Sequence, residues 1–160
     1  MGTSTDAILT YGVPFEEDEF PQTFFEYDGD THIYPSLEDW LMERHGTVDS
    51  PWCDDGDGRK PGHNKLWVED YFREQKKLMA ECPARIVHHC SGDYGMFILS
   101  VHHPDRNYTH TAKRGYPLDI NPHHKLAVNG DHEKAFMAWC AEHSIELPGQ
   151  PRWVLCSYWG

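Results

Sequence analysis

Three histidine pairs, His88-His89, His102-His103 and His123-His124, supply the side chain that most readily ligates transition metals and moves protons near neutral pH. Cys90 follows the first pair directly. A small metal-binding protein or a hydrolase built on His88, His89 and Cys90 is therefore one chemistry open to these residues. Their spacing speaks against it. Alternation along a strand places His88 and Cys90 on one face and His89 on the other, so one face offers two ligands where zinc takes three or four. No pair has the i, i+4 spacing of HExxH, and none of the five cysteines has a CxxC partner. Cys90 or Ser91 could meet a histidine base, but with twelve histidines in the chain a chance pairing is expected, and triads are defined by geometry. There is no GxSxG elbow, P-loop or GxGxxG fingerprint. The loop Cys53-Asp-Asp-Gly-Asp-Gly58 gathers carboxylates as a hard-cation site would. Counted from Asp55, however, the fifth calcium position is Arg59 and the twelfth is Leu66; counted from Asp57, the third is Arg59. It reads as a solvated acidic loop, and no cofactor is expected.

Charge suggests binding instead. Residues 1–80 carry 18 acidic against 7 basic side chains, whereas 81–160 carry 8 against 7, so nearly all of the net −12 belongs to the first half. Such a balance repels nucleic acid and anionic lipid and favours either a basic protein surface as partner or simply a soluble acidic surface. Aromatics interleave with the acids over 15–30, giving anchors beside charges. The first candidate surface is Glu16, Glu17, Asp18, Glu19, Phe24, Phe25, Asp28 and Asp30 with Asp54, Asp55 and Asp57 of the second acidic loop. Burial competes for those aromatics, and pinning the segment to the domain is the reading expected for Phe15, Phe20, Phe24, Phe25 and Tyr27. A second candidate surface joins Ser91, Gly92, Asp93 and Tyr94 to Arg114 and Tyr116; the plainer expectation for Tyr116 is a ring packed down on the fold. A two-residue basic patch, Lys113-Arg114, is too small to signal nucleic-acid binding in a chain this acidic.

The elements that position these residues follow from periodicity. Strands are predicted over 7–13, 84–90, 95–101 and 152–158. The run Met96-Phe97-Ile98-Leu99, followed by Val101, suits a strand buried on both faces, and a turn at Ser91-Gly92-Asp93-Tyr94 makes a hairpin that sets residue 97 opposite His88. Ser36-Leu-Glu-Asp39 has the form of a capping box opening a helix to about residue 45, with Leu37, Trp40 and Leu41 on its apolar face and Gly46 just past its end. A second helix is predicted over 65–81, and a third over 131–143 capped by Asn129 or Asp131. Segments 14–35 and 47–64 read as irregular and acidic, and 104–128 as irregular. The order β-α-α-β-β-α-β implies an α+β fold: a single domain, 1–160, with a largely antiparallel sheet of about four strands and about three helices packed against it. The odd cysteine count without CxxC predicts reduced thiols, several filling core. The absence of a basic-then-apolar leader and of a long apolar span predicts a cytoplasmic protein with no membrane contact.

Four segments, Asp6-Ala-Ile-Leu-Thr-Tyr-Gly12, Cys90-Ser-Gly-Asp-Tyr-Gly-Met-Phe-Ile-Leu99, Arg114-Gly-Tyr-Pro117 and Ser157-Tyr-Trp-Gly160, resemble a set of small proteins of tailed bacteriophages and their prophages with no established activity. The resemblance spans both ends and the middle and is weakest over 14–63. It carries over no residue role. What it implies is a phage gene product acting in the bacterial host cytoplasm, a setting in which small non-structural proteins often bind and inhibit host machinery, defence systems included. The expectation is a non-enzymatic accessory protein whose partner is a host or phage protein with a basic surface.

Overall fold

Strand β1, Thr5–Pro14, is rich in residues that suit a pleated, half-buried surface, and from Thr10 to Val13 every residue is buried. The computed structural model describes residues 5–16, 19–24, 27–28, 31–32, 35–48, 65–91, 95–120 and 126–159. They fall into two compact units, one formed by 1–35 with 83–160 and the other by 36–82.

In the larger unit β1 is the hub of a five-stranded sheet. Along one edge it pairs antiparallel with β7, Arg152–Trp159, from Thr5 opposite Trp159 to Gly12 opposite Arg152. Its other edge is shared. Gly12 to Pro14 pair with β5, Gly95–Val101, and Ala7 to Thr10 pair with β6, Thr109–Ala112, both antiparallel. β4, Ala84–Ser91, pairs antiparallel with β5 and meets β7 in parallel at Cys90–Tyr158 and Ser91–Trp159. The pairings β1–β5, β5–β4, β4–β7 and β7–β1 close on themselves, with β6 appended to β1. His88 lies opposite Phe97, as the hairpin reading requires, and Phe97 to Val101 are all buried.

The division of β1's edge has a simple cause. Going from Gly12 to Thr10 its partner advances from Ser100 to Thr109, so β5 and β6 are one strand line from which 102–108 are looped out opposite Tyr11. The root of that excursion is tied by hydroxyls: Thr10 Oγ1 lies 2.8 Å from Ser100 Oγ and 2.7 Å from Thr109 Oγ1. Ser100 Oγ–H also reaches the Tyr11 carbonyl at 3.1 Å, so the fully buried Thr10 and Ser100 are both satisfied. Gly12 allows the lines to meet, since a Cβ there would stand 2.4 Å from the Leu99 carbonyl oxygen. Helix α3, Gly130–Glu142, buries Phe136 and Cys140, and Asn129 caps it.

The smaller unit contains α1, Leu37–His45, and α2, Lys65–Glu81. Ser36 Oγ accepts the Asp39 amide at 3.1 Å, the capping bond expected, and Leu37, Trp40, Leu41 and Met42 are buried. The Glu74 carboxylate receives the Thr47 and Val48 amides at 2.9 Å each, which joins α2 to the chain leaving α1. On α2 Tyr71 is buried, whereas its neighbour Phe72 is 48 % exposed.

The fold is α+β, with three α-helices among the described residues and a mostly antiparallel sheet, as the patterning predicts. Three details differ. β6 falls inside 104–128, expected to be irregular, and two-residue strands β2, Tyr27–Asp28, and β3, Thr31–His32, pair within the first acidic segment. Gly46 ends α1 with φ −69°, not in the left-handed region; it is close approach that favours glycine, because a Cβ would lie 2.3 Å from the Met42 carbonyl oxygen. No described helix is long and apolar enough to cross a membrane.

Candidate functional site

Pro14 ends β1, and the chain beyond it is held down by its aromatics. Phe15, Phe20 and Phe24 are each at most 3 % exposed. Phe20 meets Phe15 edge-on with centroids 5.1 Å apart, lies 5.8 Å from Phe24, and reaches Phe97 of β5 at 5.1 Å. The Glu19 amide closes a turn onto the Glu16 carbonyl at 3.0 Å. With the rings turned inward, Glu16 and Glu19 are left exposed at fixed places on the surface.

Those two carboxylates stand on the wall of a cleft of about 380 Å³. It opens where β4 and β7, joined at Cys90–Tyr158 and Ser91–Trp159, draw apart. His89 of β4, Met96 of β5 and Val154, Leu155 and Cys156 of β7 complete the wall, with Pro14, Phe15, Pro148 and Arg152. Leu155 is 71 % exposed, a large apolar side chain offered to solvent beside two acids. Burial, with a smaller contribution from His88, holds the His89 imidazole below its usual pKa and so neutral at pH 7. Burial raises the Cys156 thiol, which points at the Ile8 carbonyl 3.5 Å away; a protonated, engaged thiol is a poor nucleophile. The cleft is equipped to bind, with negative charge at its rim and Arg152 as the basic side chain in its wall.

A polar aromatic network lies where the 102–108 excursion meets α3. Tyr11 Oη–H donates to Glu133 at 2.7 Å; burial first, and then that carboxylate, push the phenol up to about 12. Tyr108 Oη lies 2.9 Å from His132 Nδ1 and accepts the Asn129 amide at 3.2 Å. His103 stacks on His132 with centroids 3.7 Å apart, and Arg106 lies over the Tyr108 ring. Trp153 packs on Tyr11 and donates its indole N–H to the Leu126 carbonyl at 3.1 Å. Linear spacing gives no sign of this group, since Tyr11 and Glu133 are 122 residues apart.

The sequence-derived candidates divide as follows. Glu16 and Glu19 share the cleft wall with His89, whereas Phe24 is buried and packs inward. Asp28 belongs to β2, and Glu17, Asp18, Phe25, Asp30, Asp54, Asp55 and Asp57 lie outside the described residues. In the second candidate, Ser91 stands opposite Trp159, which stands opposite Thr5, and the Arg114 amide donates to Asp6 Oδ1 at 3.3 Å. One end of the sheet thus gathers segments from all four resemblance motifs. Tyr116 is 76 % exposed, not packed down: Gly115, at φ +80°, carries it outward. Gly92, Asp93 and Tyr94 lie outside the described residues, as do Cys53 and the His123-His124 pair. His88 stacks on Phe97 and meets Tyr158 edge-on, on the opposite face from the cleft-lining His89, and Cys90 takes φ 77°, out of regular alternation. Among the described residues no three His, Cys, Asp or Glu side chains converge to hold a metal ion, and the four described cysteines are free thiols.

Comparison with family models, with curated proteins and with solved structures finds no match. The functional reading rests on the site.

Proposed function

We propose that this chain is a non-enzymatic binding protein, phage-encoded as its sequence resemblance implies, whose partner is a host or phage protein that presents a basic surface. Inhibition of host machinery, including a defence system, is the role that fits such a protein. The observation that carries the reading is the pairing of exposed Glu16 and Glu19 with the exposed Leu155 on one cleft, held in place by buried Phe15 and Phe20. An exposed apolar side chain with charges beside it is an arrangement that interfaces use, and net charge −12 steers a basic partner towards it. A protonated Cys156 and a neutral His89 at the same cleft favour binding over nucleophilic chemistry.

The test is capture of a partner from bacterial lysate by the wild-type chain, by a Glu16→Lys/Glu19→Lys variant, and by Glu142→Lys as a control at an exposed residue outside the cleft wall. The double reversal is expected to lose the partner and the control to retain it. Retention of the same partner by the double variant would overturn the assignment of the surface.

A further inference from the structure

Asn129 caps α3 with its side-chain oxygen, Oδ1 accepting the Asp131 amide at 3.0 Å. That bond fixes which way the side-chain amide points. Its nitrogen is then the atom 3.2 Å from His132 Nε2, and an amide NH₂ only donates, so Nε2 must accept. A neutral imidazole has one donor, which places the proton on Nδ1, directed at Tyr108 Oη 2.9 Å away. Tyr108 is the last residue of the 102–108 excursion and is 2 % exposed. His103, near the start of the same excursion, stacks on the His132 ring at an interplanar angle of 8°, and its own Nδ1 accepts the Asp105 amide at 3.2 Å.

With the Asn129 amide turned as it is, a second proton on His132 finds no acceptor at Asn129. An Nε2–H would face the Asn129 NH₂, donor against donor. The contact is restored only if the amide turns over, and that takes Oδ1 away from the Asp131 amide and uncaps α3. The groups facing His132 compound this. His103 and Arg106 of the excursion disfavour a charge there, Asp105 and Asp131 favour it, Asp131 is engaged by Lys134 at 3.5 Å, and Glu133 by the Tyr11 hydroxyl. Burial and the two neighbouring bases prevail, and the imidazole is held below its usual pKa.

We propose that Asn129, His132 and Tyr108 form a proton-operated latch: neutral His132 holds Tyr108 of the excursion through Nδ1–H and accepts the capping Asn129 amide at Nε2, and a proton on Nε2 breaks that second contact and uncaps the helix while Nδ1–H keeps Tyr108. The inference stands apart from the binding cleft and does not depend on it.

Nitrogen-15 chemical shifts of the His132 ring, with amide exchange protection of Asp131 followed against pH, test it. The wild type is expected to show the neutral Nδ1–H tautomer at pH 7.5, a protonation midpoint below about 6.5, and protection at Asp131 that falls in step with that midpoint. In Asn129→Asp a carboxylate can accept both the Asp131 amide and a protonated Nε2. The midpoint should rise by about one pH unit or more, with Asp131 still protected at pH 5. An Nε2–H tautomer in the wild type, protection that ignores His132, or a midpoint unmoved by Asn129→Asp would overturn the latch. The tautomer is read on the unmodified protein, so the proposal is tested even where the variant does not fold.

Discussion

Ser144 is, with Cys90, one of two non-glycine residues at positive φ among the described residues. It follows α3 at φ 56°, in the left-handed region, while Ser144 N–H bonds the Ala141 carbonyl at 3.2 Å and Ile145 N–H bonds the Cys140 carbonyl at 2.8 Å. This is the Schellman termination, and its left-handed position is one where glycine is usual. A non-glycine residue there costs about 1–2 kcal/mol, partly offset by the greater freedom glycine has in the unfolded chain. Ser144→Gly is expected to stabilise the fold by about 1 kcal/mol, read as a higher urea midpoint with unchanged slope; a lower midpoint would contradict the strain assigned to Ser144. Nothing in Glu-His-Ser-Ile announces this termination, because sequence signals for helix ends depend on glycine. The capping residues were legible: Ser36 and Asn129 act locally, within three residues of the amides they hold.

At the scale of elements, four strands and three helices were legible because each bears its own periodicity. β6 was not. Thr109-His-Thr-Ala is short and only partly buried, and it becomes a strand because β1 has a free stretch of edge there. The looped-out 102–108 segment is likewise invisible in one dimension, since it exists only as a mismatch between the two lines facing β1. Its root gives a prediction. Thr10→Val keeps the volume but removes the hydroxyl that accepts from, or donates to, Thr109 and Ser100. Stranding part of a buried hydroxyl cluster should cost about 1–3 kcal/mol, measured by urea unfolding. Amide exchange should quicken first over 102–108; a uniform loss across the sheet would mean that the hydroxyls do not secure the excursion. The cleft was half legible. Glu16, Glu19 and His89 were marked by charge and pairing, but Val154 to Cys156 read only as strand, and what brings them together is the parting of β4 from β7.

At the scale of the whole molecule, histidines held neutral set the response to acid. Burial, then Arg85 and His103, lower His102 to about 4; His89 and His132 are lowered in the same sense. A group whose folded pKa is depressed contributes stability above its unfolded value, so the contribution of these histidines should be complete above pH 6.5 and be lost as pH falls from 6.5 towards 4. Glu74, lowered by the Thr47 hydroxyl and the Thr47 and Val48 amides, adds a loss below about pH 4.5. Tyr11 acts at the other end: its raised pKa means that stability falls as pH climbs from 10 to about 12. Thermal midpoints across pH 4 to 8 check the acid limb, and a flat profile between 6.5 and 5 would contradict the neutral histidines.

Binding of a basic protein surface by the acidic side chains of the cleft is the function proposed for this chain. It is tested most directly by the affinity of the purified wild-type chain for its captured partner as salt is raised from 50 to about 500 mM, across the range where screening of exposed charges becomes severe. The account predicts that the affinity falls steeply, chiefly through slower association, and that Glu16→Lys/Glu19→Lys shows neither the affinity nor the slope. An affinity independent of salt, or an equal slope in the double variant, would contradict it.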